Sequence, residues 1–134
     1  MIDYEIIEKL VEYIDEIDGV TIIPAKNFEN ERDPYMVLVG IEEKTQIYPT
    51  TPDYEYQISI LIDTFIADDT NGKKIEEIKE TIEQKLFPFV NRDKNLSEIF
   101  EDIPIVGFLS DGISDSISSE SNRSELRYLI YASF

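Results

Sequence analysis

From Tyr54 to Asp69 the chain reads "YEYQISILIDTFIADD", a single β-strand of unusual length. In an extended chain successive side chains point to opposite sides. Tyr54, Tyr56, Ile58, Ile60, Ile62, Thr64 and Ile66 therefore share one face, and Glu55, Gln57, Ser59, Leu61, Asp63 and Phe65 share the other. At about 3.3 Å per residue, Tyr54 to Ile66 spans roughly 43 Å, whereas an average strand has about five or six residues. A strand this long needs partners of similar length. The C-terminal segment "SELRYLIYASF" supplies one: Leu126, Tyr128, Ile130, Ala132 and Phe134 share a face, opposite Glu125, Arg127, Leu129, Tyr131 and Ser133. The two segments are expected to pair, each with its aliphatic face under helices.

Helical spacing supplies that cover. Ile6, Ile7, Leu10, Val11, Ile14 and Ile17 line one side of residues 2–18, with acidic residues opposite and Gly19 as a natural C-cap. Ile75, Ile78, Ile82 and Leu86 do the same in "GKKIEEIKETIEQKLFPF", whose helix is expected to end just before Pro88. "VTII" reads as a short strand stopping before Pro24, 25–34 as a polar loop, and "YMVLVGIEE" (Tyr35–Glu43) as a buried strand. Pro49 and Pro52 place a loop at 44–53, and one helical turn is expected around Ser97–Phe100. The Ser-rich "SDGISDSISSESNRS" fits either a hairpin with a mobile tip or a disordered loop. The order helix, strands, helix, strands predicts one α+β domain over 1–134, a largely antiparallel sheet of long strands covered on one face by two helices.

Composition removes much of the usual chemistry. The chain has no Cys, His or Trp. Thiol nucleophiles, disulfides and zinc–thiolate sites are excluded, as are the Ser–His–Asp triad and the near-neutral histidine shuttle. We expect no enzyme, no cofactor and no metal. An EF-hand fails at either candidate glycine, since Gly72 would put Ala67, and Gly112 would put Gly107, at the first ligand position. Among 29 acidic residues close carboxylate pairs arise by chance, so a glycosidase-type pair carries no signal. The five Gly residues are scattered and form no phosphate loop. Asn95-Leu96-Ser97 and Asn122-Arg123-Ser124 match the glycosylation sequon, but "MIDYEIIEKL" lacks the features of a secretion signal. No stretch approaches the roughly 18 apolar residues of a membrane span. We expect a protein of the cytosol, or one assembled there.

The 29 acidic against 12 basic residues give a formal charge of −17. That balance opposes binding to a nucleic-acid backbone, which needs a cationic footprint. It suits solubility, a nucleic-acid mimic, or a surface that DNA passes without sticking. Lys73, Lys74, Arg123 and Arg127 read either as ordinary surface charges or as partners for a neighbouring copy's acids. Tyr48, Tyr54, Tyr56, Tyr128 and Tyr131 suit core edges or an interface. Long sheets with exposed edges risk uncontrolled association, and closing copies into a ring turns that liability into a specific assembly.

With its N-terminal helix, "YMVLVGIEE", the long strand leading into "GKKIEEIKETIEQKLF", and the final "SELRYLIYASF", the chain resembles in layout the tail terminator (tail completion) and neck proteins of long-tailed bacteriophages. The resemblance carries no invariant motif. It implies a structural virion protein: a ring, a hexamer in that family, that caps the tail tube, stops its polymerisation and docks onto the neck or head-completion protein. Such a ring is assembled in the host cytoplasm, its inner wall is built from sheet, and the genome passes through it without specific binding. On alternation, Glu55, Asp63 and Glu125 are the lumen candidates. Tyr54, Tyr56, Arg123, Arg127 and Tyr131 are the candidates for contacts between subunits, and the loops at 44–53 and 110–123 for contacts with tube or neck. The alternatives are an acidic binding protein such as a DNA mimic or immunity-type inhibitor, and another neck or baseplate component.

Overall fold

The computed structural model describes residues 2–15, 20–25, 35–47, 56–67, 73–117 and 121–133, with the backbone alone at 2, 35, 65–67, 114–117 and 121–122. The elements run α1 (Ile2–Ile14), β1 (Thr21–Pro24), β2 (Tyr35–Gln46), β3 (Tyr56–Ala67), α2 (Lys73–Val90), α3 (Ser97–Phe100), β4 (Ile105–Ile117) and β5 (Ser121–Ala132). They form an α+β fold on a five-stranded sheet of order β1-β2-β3-β5-β4. All neighbours are antiparallel except β1 and β2. β3 and β4 each pair antiparallel with β5, so they run parallel to one another, with β5 between them. Parallel strands need a long crossover. α2 and α3 provide it.

Alternation sets what the sheet buries. Ile58, Ile60 and Ile62 of β3 and Leu126, Tyr128, Ile130 and Ala132 of β5 are buried on one face. Val37 and Val39 of β2, Ile22 of β1 and Phe108 of β4 extend that layer. α1 seals it over β1 and β2 with Ile6, Ile7, Leu10 and Ile14, while α2 covers β3, β5 and β4 with Ile75, Ile78, Ile82, Leu86 and Phe89. Each buried side chain of this size contributes roughly 1.5–3 kcal/mol relative to exposure. The two helices meet where the Tyr13 and Phe89 rings pack edge to face, centroids 5.3 Å apart. Asp3 and Glu5 in the first turn of α1, and Glu76 in that of α2, favour helix starts through the macrodipole.

Five boundaries differ from the sequence expectation. α1 ends at Ile14, with Asp15 already outside the helix expected to reach residue 18. Residues 110–117 and 121–123, expected as a docking loop, belong to β4 and β5, whose pairing extends the hairpin through them. β1 runs through Pro24, which pairs with Val39. Proline lacks a donor, but β1 is an edge strand and can spare one. β2 continues to Gln46, so Lys44–Gln46 belong to strand and not to a loop. α2 continues through Pro88 to Val90. Pro88 lies in the last turn, where the missing N–H removes a single helical bond, and Phe89 just beyond it is buried. The helix then closes in a Schellman motif: Asp93 N–H donates to the Pro88 carbonyl (2.7 Å) and Arg92 N–H to that of Phe89 (3.3 Å). The expectations at Ile17, Gly19 and 26–34, and for Phe134, lie outside the described residues. β4 and β5 pair as a hairpin up to Ile117 and Asn122, and 118–120 also lie outside.

Thr64 continues the Ile58–Ile62 face and is fully buried, with Oγ1 unbonded among the described residues. An unsatisfied buried hydroxyl costs about 1–3 kcal/mol. Thr64→Val, which keeps the shape and removes the hydroxyl, is expected to raise the unfolding free energy by about 1 kcal/mol. A higher urea midpoint at unchanged slope is the expected reading, and a lower one would show that the hydroxyl is partnered.

Candidate functional site

Both long helices pack on one face. On the opposite face a Cβ at Gly40 would stand 3.0 Å from Ala25 Cβ, and the described side chains between the row of Leu38 and that of Thr45 are half-buried or exposed. Strand register arranges this open face in rows: Thr45, Gln57, Tyr131 and Gly107; Glu43, Ser59, Leu129 and Leu109; Gly40, Leu61 and Arg127; Leu38, Asp63 and Glu125. The Tyr131 ring lies against the β4 backbone at Gly107. A Cβ there would stand 2.9 Å from Tyr131 Cδ2, so the glycine permits the close approach.

Asp63 and Glu125 are directly opposite across β3 and β5. Like charges at such a position repel. Two arginines resolve the conflict. Arg123 donates to both Asp63 oxygens, Nε to Oδ1 at 2.9 Å and Nη2 to Oδ2 at 2.8 Å, and lies 3.5 Å from Glu125 Oε1. Arg127 Nη2 donates to Glu125 Oε2 at 2.6 Å, and its Nε and Nη2 reach the two Glu42 oxygens at 3.3 Å. The hydrogen bonds to Asp63, then its charge, push the Arg123 pKa up, and those to Glu42 do the same most strongly for Arg127. The result is a ladder, Asp63–Arg123–Glu125–Arg127–Glu42, with three carboxylates, two guanidinium groups and one surplus negative charge.

Chemically this ladder is a set of matched ions. Each carboxylate is already hydrogen-bonded to a cation. Among the described residues no group of three or more Asp or Glu is arranged to hold a metal ion. A groove of about 350 Å³ between α2 and β4 brings Glu83, Ser110 and Tyr128 together. Burial, and then the Glu83 charge, pushes the Tyr128 hydroxyl pKa up, so it stays protonated and does not act as a base at neutral pH. No described helix is long and apolar enough to cross a membrane.

Of the residues singled out from sequence, Asp63, Glu125, Arg123, Arg127 and Tyr131 come together on the open face. The lumen and inter-subunit candidates are thus interleaved, and both arginines find their acids within the chain. Tyr56 lies on the helix-covered face, packed at the core edge with Lys44 Nζ 4.8 Å from its ring centroid. Tyr54 and Glu55 lie outside the described residues, as do 48–53 of the proposed docking loop. Glu42 was missed. It joins the ladder where β2 carries a bulge between Ile41 and Glu43, and an irregularity of register leaves no mark in the alternation of the sequence. The chain matches no protein-family model, and a comparison with curated proteins finds no match.

Proposed function

We propose that the chain is a structural virion protein of tail-terminator type, a ring component that caps a phage tail tube and joins it to the neck. The observation that carries this reading is the face opposite the helices, whose described side chains are half-buried or exposed and whose arginines are paired with acids, on four strands of 12–13 residues each. Strands of that length span roughly 40 Å, enough to form the wall of a channel. Arginines that already hold carboxylates in bidentate or paired geometry have little left to offer a phosphate. A wall carrying them together with surplus negative charge lets DNA slide past without binding. The ladder alters one detail of the lumen reading. Asp63 and Glu125 act less as bare repelling charges than as groups that keep Arg123 and Arg127 occupied.

The test is co-sedimentation of purified protein with assembled tail tubes, with electron microscopy of tube ends. The expected result is a ring at one end of each tube and an arrest of tube growth. Tubes that lengthen unhindered, with all protein left in the supernatant, would sink the reading. Capture of a basic DNA-binding protein in place of tubes would favour the acidic mimic instead. Asp63→Lys probes the channel wall. Breaking an exposed pair costs about 0.2–1 kcal/mol, so the monomer is expected to stay folded. The substitution sets a new ammonium group beside a freed Arg123, and virions carrying it are expected to eject DNA more slowly. Normal ejection would exclude this face from the channel.

A further inference from the structure

We propose that copies of this chain join through a contact between a basic, apolar groove at the α2–β4 end of one copy and an acidic groove on α1 and α3 of the next. It rests on the ring reading above for the head-to-tail arrangement of copies.

With a charge of −17, two copies repel each other at most orientations. Attraction is available only where one copy presents cations that its own acids have not taken. Among the described residues Lys9, Lys44, Lys79, Arg123 and Arg127 are in ion pairs, and Lys74 and Lys85 have partners. Lys73, Arg92 and Lys94 remain. Lys73 stands alone at the start of α2, whereas Arg92 and Lys94 line one groove of about 740 Å³ together with Leu96, Val106 and Leu109. Val106 is 52% and Leu109 40% exposed. Unpaired cations and exposed aliphatic side chains thus share one concave surface.

The complementary surface lies at the other end of the same connection. Glu5, Glu8 and Glu12 of α1 line a groove with Glu101, Asp102 and Ile103. Among the described residues Lys9 is the one cation lining it, and it is paired with Glu101 at 3.0 Å. Backbone strain marks both grooves. Arg92 (φ 62°) and Glu101 (φ 52°) are the non-glycine residues with positive φ among those described. An L-residue in the left-handed region costs roughly 1–2 kcal/mol, and glycine is the usual choice at a helix C′ position such as Arg92. The chain instead keeps a charged side chain at each, of opposite sign, one per groove.

The form of β4 favours side-chain docking over strand addition. It is an edge strand, but it carries register shifts at Ile105/Gly107 and Ser110/Ile113, and Gly112 adopts φ 116°. Bulges of this kind prevent another strand from continuing the ladder. Two unlike surfaces suit the heterologous contact that a closed ring requires.

Charge reversal with complementation tests this. One protein carries Arg92→Glu and Lys94→Glu, the other Glu8→Lys and Glu12→Lys, and each is confirmed as folded by its thermal transition. The expected result is that wild-type protein self-associates at low salt and less so as salt rises. Each reversed protein alone is expected to associate about tenfold or more weakly, because like charges then face each other. A mixture of the two regains assembly, since each intact groove meets an intact partner and the reversed grooves match one another. Sedimentation mass reads all three. The contact is overturned if wild type stays monomeric up to about 1 mM, if either reversed protein assembles as well as wild type, or if mixing restores nothing. The ring reading is decided separately, by tail-tube binding.

Discussion

Ile60→Asp is expected to leave no cooperatively folded protein. Ile60 is fully buried at the middle of β3, paired with Ile41 on one side and Tyr128 on the other, beneath the helices. The substitution removes the apolar contacts of an Ile and puts a carboxylate among buried apolar side chains. An unpaired buried charge costs several kcal/mol on top of the lost burial, against a total stability of about 5–15 kcal/mol. Circular dichroism during heating should show no sigmoidal transition. Leu61→Asp, one residue along, is the control. Leu61 is half-buried on the open face, directly opposite Arg127, so its replacement should keep a cooperative transition. If Ile60→Asp melts like wild type, or Leu61→Asp unfolds instead, the assignment of faces is reversed.

Phe100→Ala is the second large effect, expected at about 3–5 kcal/mol, the usual range for emptying a buried aromatic site. Phe100 is fully buried and ends α3, a single turn of four residues, with its ring 6.4 Å from that of Phe108. One helical turn has no stability of its own, so this side chain, together with the buried Ile99, holds α3 against the core. Its loss also loosens the turn at Glu101, and with it the acidic groove. Urea unfolding reads the change as a lower midpoint. Phe87→Ala is the matched control, because Phe87 is 58% exposed on α2 and its removal should change stability by less than about 0.5 kcal/mol. Equal losses from the two would mean that the inward stripe of α2 has been misassigned and that α3 is not anchored through Phe100.

These two predictions differ in how far the sequence leads to them. Ile60 is legible, because period-two alternation is a property of the backbone and needs no partner to be seen. The same holds for α2, where Ile75, Ile78, Ile82 and Leu86 follow one stripe and all are buried. Phe100 was legible only as part of a short turn; its burial follows from α1 and β4 closing around it. Pro88 shows the opposite failure, a local rule overridden when burial of Phe89 favours carrying the helix one turn further.

The open face divides in the same way. Asp63, Glu125, Arg123 and Arg127 could each be assigned to it by counting residues along two strands. That Asp63 meets Arg123, sixty positions away, depends on the register of β3 against β5, and that Glu42 meets Arg127 depends on a bulge in β2. Local order in the chain determines which segments are strands and helices and, away from the β2 bulge, the face on which their side chains stand. Which charges neutralise one another, and which cations are left facing a second copy, is decided only when strands distant in sequence are set side by side, because ion pairing depends on separations of a few ångströms that no local pattern specifies.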